Sequence, residues 1–242
     1  MKKILFALLL GLAPTLALGA GSAVKLMDAE TDPFDTASQQ RGAKLYVSYC
    51  LACHEMKYQR WNRLAADLQL DEALVEQYLI FGEQQIHDTM TNAMLPDVAE
   101  GWFGVAPPDL SLSVRLRGAD WVYTYLNSFY ADESKMFGVN NLVFPDVGMP
   151  HVLAGLQGLP RPVYEDGGEA LKVSGIRVPE QGGVMSPEEY REATRDLVNF
   201  MAYAAEPVKA QRIVLGVKVL IFLFIFLVIA YFLKKEYWKD VH

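Results

Sequence analysis

The stretch Cys50-Leu51-Ala52-Cys53-His54 contains both cysteines of the chain, three residues apart, and the second is followed at once by a histidine. Polypeptides attach haem covalently through this CxxCH pattern: the thiols form thioethers with the haem vinyl groups, and the histidine supplies an axial nitrogen. Such residues fall within about one helical turn and can face a single macrocycle. The adjacent histidine and the lack of a second cysteine pair disfavour a redox CxxC or half of a zinc site. The sequence therefore predicts one covalently attached haem c, held by Cys50, Cys53 and His54.

An apolar segment lies at each end of the chain. Residues 1–20 begin with two lysines, continue as an apolar run and end in small residues, which is typical of a cleaved secretory signal peptide. The second run, Ile213–Leu233, is 21 residues long and therefore long enough to cross the hydrocarbon core of a membrane. Three lysines follow it, which indicates a cytoplasmic flank by the positive-inside rule. These features predict an exported, tethered protein.

The predicted organisation has four parts: a signal peptide (1–20), an exported domain with one haem (21–207), a transmembrane anchor (208–236) and a short cytoplasmic tail (237–242). The exported part carries 14 Lys and Arg against 27 Asp and Glu, a net charge of −13. This acidity argues against a nucleic-acid partner. It suits electrostatic steering of a basic protein, although it would also serve plain solubility.

Hydrophobic periodicity predicts a mainly α fold with one C-terminal transmembrane helix. Together with the CxxCH motif this resembles the small c-type cytochromes, which implies a class I-like c-type cytochrome domain with long loop insertions plus one C-terminal transmembrane helix. A helix from about Ser38 leads into the motif; in small c-type cytochromes such a helix crosses a C-terminal one, and Gly42 leaves room for that close crossing. That second helix begins at a capping box formed by Ser186 and Glu189. A third helix is expected over Ala119–Tyr130.

Residues 131–185 are rich in Gly and Pro and have no clear period, so they are expected to form loop over the cofactor, with a short strand at Lys172–Val178.

The second axial ligand of the iron is the main question that the residues leave open. Several methionines and histidines follow His54, and Met149 is favoured because it follows a glycine-containing loop and precedes Pro150. His151, two residues further on, is the rival. Ligation by His and Met raises the reduction potential relative to two histidines and suits a high-potential electron carrier.

Three classes of function compete on this evidence. With both axial positions filled by protein, the chain transfers single electrons, and we find no general acid/base constellation that would make it an enzyme by itself. With an open sixth position it is a haem enzyme or a gas sensor. The third class is a structural subunit in which the haem only stabilises the fold. Among the carriers, an anchored cytochrome subunit of a terminal oxidase is a further alternative.

The haem propionates require donors, and Arg115 and Arg117 are the nearest basic pair to a predicted pocket loop. A guanidinium can bind a carboxylate through two parallel hydrogen bonds. Arg117 is the favoured propionate partner, partly on the family resemblance described next; the alternative for both arginines is a solvated basic surface.

The chain resembles the cytochrome c1 family. The resemblance rests on Tyr46 before the CxxCH motif, on the run Ala106-Pro107-Pro108-Asp109-Leu110-Ser111 with Arg115 and Arg117 after it, and on Phe144-Pro145 before Gly148-Met149. The single C-terminal anchor with its short basic tail also matches. The chain departs from the family where an Asn-Pro-aromatic run is common, since it reads Asn141-Leu142-Val143-Phe144-Pro145. The resemblance implies Met149 as the sixth ligand, with Arg117, Tyr123 and Pro108 bordering the haem.

The same resemblance implies the haem subunit of the cytochrome bc1 complex, quinol–cytochrome c oxidoreductase, in a respiratory chain. A Rieske iron–sulfur protein would reduce this subunit, which would pass electrons to a cytochrome c acceptor, with cytochrome b as a further partner. The expected location is the bacterial inner membrane, crossed once, with the haem domain periplasmic and the C-terminus cytoplasmic.

Overall fold

The structure, a computed structural model, describes residues 24–166, 171–179 and 182–240. The predicted signal peptide, residues 1–20, lies outside the described residues. The helices are α1 (Thr36–Tyr49), α2 (Trp61–Asp67), α3 (Glu72–Tyr78), α4 (Pro96–Phe103), α5 (Ser113–Arg117), α6 (Ala119–Leu126), α7 (Ala154–Gln157), α8 (Pro187–Ala205) and α9 (Lys209–Tyr237). The strands are β1 (Met56–Arg60), β2 (Thr89–Met90), β3 (Phe129–Ala131), β4 (Val139–Asn141), β5 (Arg161–Asp166) and β6 (Leu171–Arg177). Helices predominate, so the mainly α prediction is confirmed.

The crossing of α1 and α8 lies at the centre of the fold. A Cβ atom on Gly42 would lie 2.0 Å from the carbonyl oxygen of Asp196 and 2.7 Å from the Cβ of Phe200, so only glycine allows the two backbones to come this close. Beside it, the Arg41 guanidinium donates to both carboxylate oxygens of Asp196 at 2.5 and 2.8 Å. The predicted close approach at Gly42 is confirmed, and it fixes the helix that leads into the CxxCH motif.

Helix α8 begins as its sequence predicts. The Ser186 hydroxyl accepts from the backbone N–H of Glu189, and the Glu189 carboxylate accepts from the N–H of Ser186, which completes the capping box. The apolar face of the helix includes Tyr190, Leu197 and Phe200, which are almost entirely buried. The helix is therefore stabilised both at its start and along its buried face.

The middle of the chain contains more regular secondary structure than its Gly and Pro content suggests. Strands β3 and β4 form one antiparallel hairpin, and β5 and β6 form another. The predicted strand at Lys172–Val178 is confirmed as β6, and the loop expected over residues 131–185 is interrupted by β4, α7 and β5. The helix expected over Ala119–Tyr130 ends at Leu126, because residues 129–131 pair with β4 instead.

Helix α9 has 29 residues and is long and apolar enough to cross a membrane. At about 1.5 Å per residue it extends roughly 43 Å, which exceeds the hydrocarbon thickness of a bilayer. None of its residues is buried in the described part of the protein, unlike those of a core helix. The helix therefore fits a single-pass membrane protein.

Candidate haem site

The CxxCH residues form a tight turn at the end of α1. The backbone N–H groups of Cys53 and His54 donate to the carbonyl oxygen of Cys50 at 3.0 and 2.8 Å. The two cysteines are not joined by a disulfide, and Cys50 is buried whereas Cys53 is partly buried. Burial raises the pKa of the Cys50 thiol to about 12 and also raises the pKa of Cys53, because their surroundings are apolar.

Two side chains hold this turn from outside. The hydroxyl of Tyr46, fully buried beside Phe200, donates to the carbonyl oxygen of His54 at 2.7 Å. The amide nitrogen of Asn92 donates to the carbonyl oxygen of Leu51 at 2.9 Å. The turn is thereby fixed to the core on one side and to the segment after β2 on the other. The orientation of the two thiols is therefore set by the protein itself.

The imidazole of His54 is oriented by the Pro108 backbone. The Nδ1 atom lies 2.8 Å from the Pro108 carbonyl oxygen. A carbonyl only accepts, so Nδ1 carries the hydrogen and Nε2 keeps its lone pair. Burial lowers the pKa of His54, although the bond to Pro108 acts in the opposite direction. A neutral imidazole with Nε2 unprotonated is the form that binds iron.

A cleft opens beside this turn and brings most of the predicted ligands together. It contains about 630 Å³ of space that protein atoms do not fill, part of it continuous with solvent. Its walls are mainly apolar. The lining residues are Tyr49, Cys50, Cys53, His54, Phe103, Val105, Pro107, Pro108, Gly148, Met149, Pro150 and Val152.

The loop that carries Met149 is attached to β4 by two asparagines. The side-chain oxygen of Asn141, which is fully buried, accepts from the backbone N–H groups of Val143 and Phe144 at 3.0 and 3.3 Å. The side-chain oxygen of Asn140 accepts from the N–H of Asp146 at 2.9 Å. Sequence reasoning did not assign a role to either asparagine. An asparagine that precedes an irregular run is typical of such turns and is the signal that could have identified them.

An aromatic group adjoins Met149. The hydroxyl of Tyr125 donates to the Met149 Sδ atom at 3.3 Å, and the Tyr125 ring stacks on Trp121 with 5.3 Å between ring centroids. The Arg117 guanidinium lies 5.0 Å above the Trp121 ring and 6.0 Å from the centre of the Phe144 ring. Arg117 is thus near the cleft through Trp121 without lining it. The spacing of four from Trp121 to Tyr125 places both on one face of α6 and could have revealed them.

Tyr123 and Arg115 lie elsewhere. Tyr123 is 1% exposed, donates to the backbone oxygen of Arg191 at 3.2 Å, and has the Arg195 guanidinium above its ring. Residues two apart on a helix point about 200° from each other, so Tyr123 faces α8 when Tyr125 faces Met149. Arg115 lies 4.0 Å from the Glu206 carboxylate. The structure therefore does not bring the predicted Tyr123 to the cleft.

His151 has its own partners inside the protein. Its Nε2 lies 2.9 Å from the side-chain oxygen of Gln157, which can only accept. Its ring stacks on Phe129 with 4.8 Å between centroids. Burial lowers its pKa to about 4, so the ring is neutral at physiological pH. It is not among the residues that line the cleft.

The remaining nominal ligands are also separate from this cleft. Met90 is fully buried where β2 pairs with Met56, Met136 is 75% exposed, and Met201 belongs to the buried face of α8. Met94 lines a different groove, and His87 is exposed. Of the candidates within the described ranges, Met149 is the one that shares the cleft with His54.

The donor set and the shape of the cleft fit a covalently bound haem. Two thiols three residues apart, an imidazole with Nε2 available and one thioether are the side chains that c-type haem uses. Apolar walls from Phe103, Val105 and Val152 suit a macrocycle that is hydrophobic over most of its area. The Pro108 carbonyl supplies the outer-shell contact that such a histidine requires.

Comparisons with known proteins agree with this reading. The model of the cytochrome C1 family matches residues 27–174 and 178–241. The cytochrome c1 of Allochromatium vinosum is 50% identical over the whole of both chains. A protein of Nitrosomonas europaea named ammonia monooxygenase gamma subunit is 48% identical over the whole chain and 99% of its own length. The mitochondrial cytochrome c1 haem protein of Neurospora crassa is 27% identical over 85% of this chain and 63% of its own.

Proposed function

The chain belongs to the cytochrome c1 family, and on this premise we propose that His54 and Met149 supply the two axial ligands of its haem c. Proteins of this family carry a covalently bound haem c and are the electron-transfer subunit of the bc1 complex, and this chain has the same cofactor and function. The readings as a gas sensor, a haem enzyme with an open sixth position or an oxidase subunit are not favoured.

The observation that carries the ligand assignment is the placement of His54 and Met149 in one cleft, each with its outer partner. The Nδ1 atom of His54 is hydrogen bonded to the Pro108 carbonyl oxygen, and the Met149 Sδ atom accepts a hydrogen bond from the Tyr125 hydroxyl. His151 is instead hydrogen bonded to Gln157 and lies outside the lining. These contacts support Met149 over His151.

The bound haem supplies a one-electron couple. The residues around it decide what this couple can do. With His54 and Met149 holding the iron, no coordination position would remain for oxygen or peroxide, and a thioether ligand would raise the reduction potential relative to a second histidine. Phe103, Val105 and Val152 give the cleft apolar walls that suit the hydrophobic macrocycle. Arg117, held above Trp121, is the side chain we assign to a propionate.

We assign the face beside the CxxCH turn to the electron acceptor. A groove there is lined by Leu51 and Ala52 of the motif and by the exposed side chains of Phe81, Leu95 and Trp102. From residue 64 to residue 114 the chain has nine Asp and Glu and no Lys or Arg. An apolar groove in such an acidic segment complements a soluble cytochrome c with a basic rim around its own haem edge.

The partners and the location follow from the family. We propose cytochrome b and a Rieske iron–sulfur protein as the neighbouring subunits, with the Rieske protein as electron donor. We also propose that residues 1–20 are a cleaved signal peptide and that the domain over 21–207 is periplasmic. A span over 208–236 would then cross the bacterial inner membrane and leave 237–242 cytoplasmic, which agrees with the lysines after the apolar run.

The Nitrosomonas europaea relative gives a second candidate, because its name attributes it to an ammonia monooxygenase and it is nearly as similar to this chain as the Allochromatium vinosum cytochrome c1. Purification of the full chain from membranes in mild detergent separates the two. Copurification with a cytochrome b and a Rieske protein, and reduction of the haem by a quinol, is the expected result. Copurification with monooxygenase subunits, and no reduction by quinol, would establish the second candidate instead.

A further inference from the structure

Among the described residues, the Tyr125 hydroxyl has one hydrogen-bond partner, and that partner is a sulfur atom. The Oη atom lies 3.3 Å from Met149 Sδ, within the range of an O–H to thioether hydrogen bond. A thioether is a weak acceptor, and a largely buried hydroxyl more often bonds to a carbonyl or carboxylate. Tyr190, for example, donates to the backbone oxygen of Leu126 at 2.8 Å. The contact of Tyr125 with Met149 therefore calls for a functional explanation.

The ring of Tyr125 is held in place on several sides. Trp121 stacks on it at 5.3 Å and 10° between the planes, and the Phe129 ring meets it edge to face at 5.1 Å. Phe144 contacts it in the same manner at 6.5 Å. The Tyr125 backbone oxygen accepts from the Asn141 amide at 2.8 Å. The hydroxyl oxygen therefore cannot move away from the sulfur without displacing several packed aromatic rings.

The sulfur is held by the same group of residues. Asn141 bonds both to the Tyr125 backbone and to the loop that leads to Met149. One buried side chain thus fixes the donor and the acceptor relative to each other. Such a shared anchor is what a preorganised contact requires, because neither partner then has to be ordered at the moment of electron transfer.

We propose that Tyr125 is a positioning residue that raises the reduction potential of the haem through its hydrogen bond to the Met149 thioether. The proposal rests on Met149 being the axial ligand. The O–H group directs the positive end of its dipole at the sulfur and draws on its lone pairs, so the sulfur donates less density to the oxidised iron. The oxidised state is destabilised relative to the reduced state, as with other outer-shell contacts at metal sites.

The test is the midpoint potential of the haem in the purified, haem-loaded protein. Tyr125→Phe keeps the ring and removes only the donor, so the potential should fall. A net hydrogen bond changes an equilibrium by about three- to tenfold, which for a one-electron couple is about 30 to 60 mV. Tyr203→Phe is the matched control, since it removes a hydroxyl that donates to Asp67 away from the cleft, and its potential should stay at the wild-type value.

Replacing Tyr125 by 3-fluorotyrosine gives a second variant that keeps the packing intact. Fluorine makes the hydroxyl a stronger donor, so the potential should rise above that of the wild type. This opposite sign also tests the proposal if Tyr125→Phe does not accumulate with haem. An unchanged potential in the fluorinated protein, or an unchanged potential in a folded Tyr125→Phe, would overturn the role of Tyr125.

The methionine–iron charge-transfer band separates this proposal from the ligand assignment on which it rests. If the band disappears in Met149→Leu, Met149 is the ligand, and an unchanged potential in Tyr125→Phe then refutes only the tuning role. If the Met149→Leu spectrum equals that of the wild type, the ligand assignment itself is wrong and the role of Tyr125 falls with it.

Discussion

The Nδ1 atom of His54 and the carbonyl oxygen of Pro108 lie 2.8 Å apart, which connects the CxxCH turn to a segment 54 residues further along the chain. Asp109 holds this segment in place. Its two carboxylate oxygens accept from the backbone N–H groups of Lys57 and Ser111, each at 2.8 Å. The orientation of His54 therefore depends on a carboxylate that does not touch the cleft.

The first prediction is that Asp109→Ala loosens the support of His54. Two backbone donors lose their acceptor, so the free energy of unfolding should fall by about 1 to 2 kcal/mol. Chemical denaturation of the haem-loaded protein measures this. Glu133→Ala is the control, because it removes an equal charge from another exposed loop and should change stability by less than about 0.5 kcal/mol. Equal effects of the two variants would show that Asp109 acts only through its charge.

The second prediction distinguishes Met149 from His151 as the sixth ligand. Met149→Leu should abolish the methionine–iron charge-transfer band, lower the midpoint potential and allow the reduced protein to bind carbon monoxide. Met136→Leu, which changes a methionine that is 75% exposed, should leave all three properties unaltered.

His151→Ala should keep the band and lower stability, since it removes the contacts with Gln157 and Phe129. A band that survives in Met149→Leu and vanishes in His151→Ala would reverse the assignment.

Local patterns predicted the parts of the site that lie close together in the sequence. The spacing of Cys50, Cys53 and His54, the glycine at 42 and the capping box at Ser186 each follow from one turn of helix or one close approach. The roles of Tyr125 and Asn141 were not predicted, because they depend on contacts between residues that are far apart in the sequence. Tyr125 reaches Met149, 24 residues away, and Asn141 bonds back to the Tyr125 backbone. The spacing of four places Trp121 and Tyr125 on one face of α6, but it does not say that this face meets Met149.

The misplacement of Tyr123 has the same origin. The family resemblance implied Tyr123 without giving the phase of α6, and a shift of two residues turns a side chain to the opposite face. Strands β3 and β4 were missed because each has only three residues, and β5 was missed because its sequence has no strict alternation of apolar and polar residues.

The third prediction concerns the crossing of α1 and α8. Gly42→Ala would place a methyl group 2.0 Å from the Asp196 carbonyl oxygen, so the helices must separate. The cost should exceed about 2 kcal/mol in the free energy of unfolding. Gly101→Ala on α4 is the matched control, since its Cβ meets nothing within 4 Å and alanine favours a helix, so stability should hold or rise. Thermal unfolding of both variants measures the difference, and a stable Gly42→Ala would contradict the close crossing.

The fourth prediction tests the proposed acceptor face through salt. Electron transfer to a soluble basic cytochrome c should slow steeply between 10 mM and 150 mM ionic strength, because the screening length falls from about 30 Å to about 8 Å. The triple variant Glu76→Gln, Glu83→Gln and Glu100→Gln neutralises three exposed carboxylates in the acidic segment. Its rate at low salt should fall by about tenfold, and its salt dependence should become shallower.

A second triple variant, Glu133→Gln, Glu165→Gln and Glu192→Gln, removes the same charge from exposed positions on other elements. Net charge alone would make the two triple variants equally slow, whereas a local docking face makes only the first one slow. Stopped-flow measurements of the second-order rate constant against ionic strength separate these outcomes. If the rate constant depended equally on ionic strength in the two triple variants, the whole acidic exterior would steer the acceptor. The groove beside Leu51 and Ala52 would then have no special part in docking.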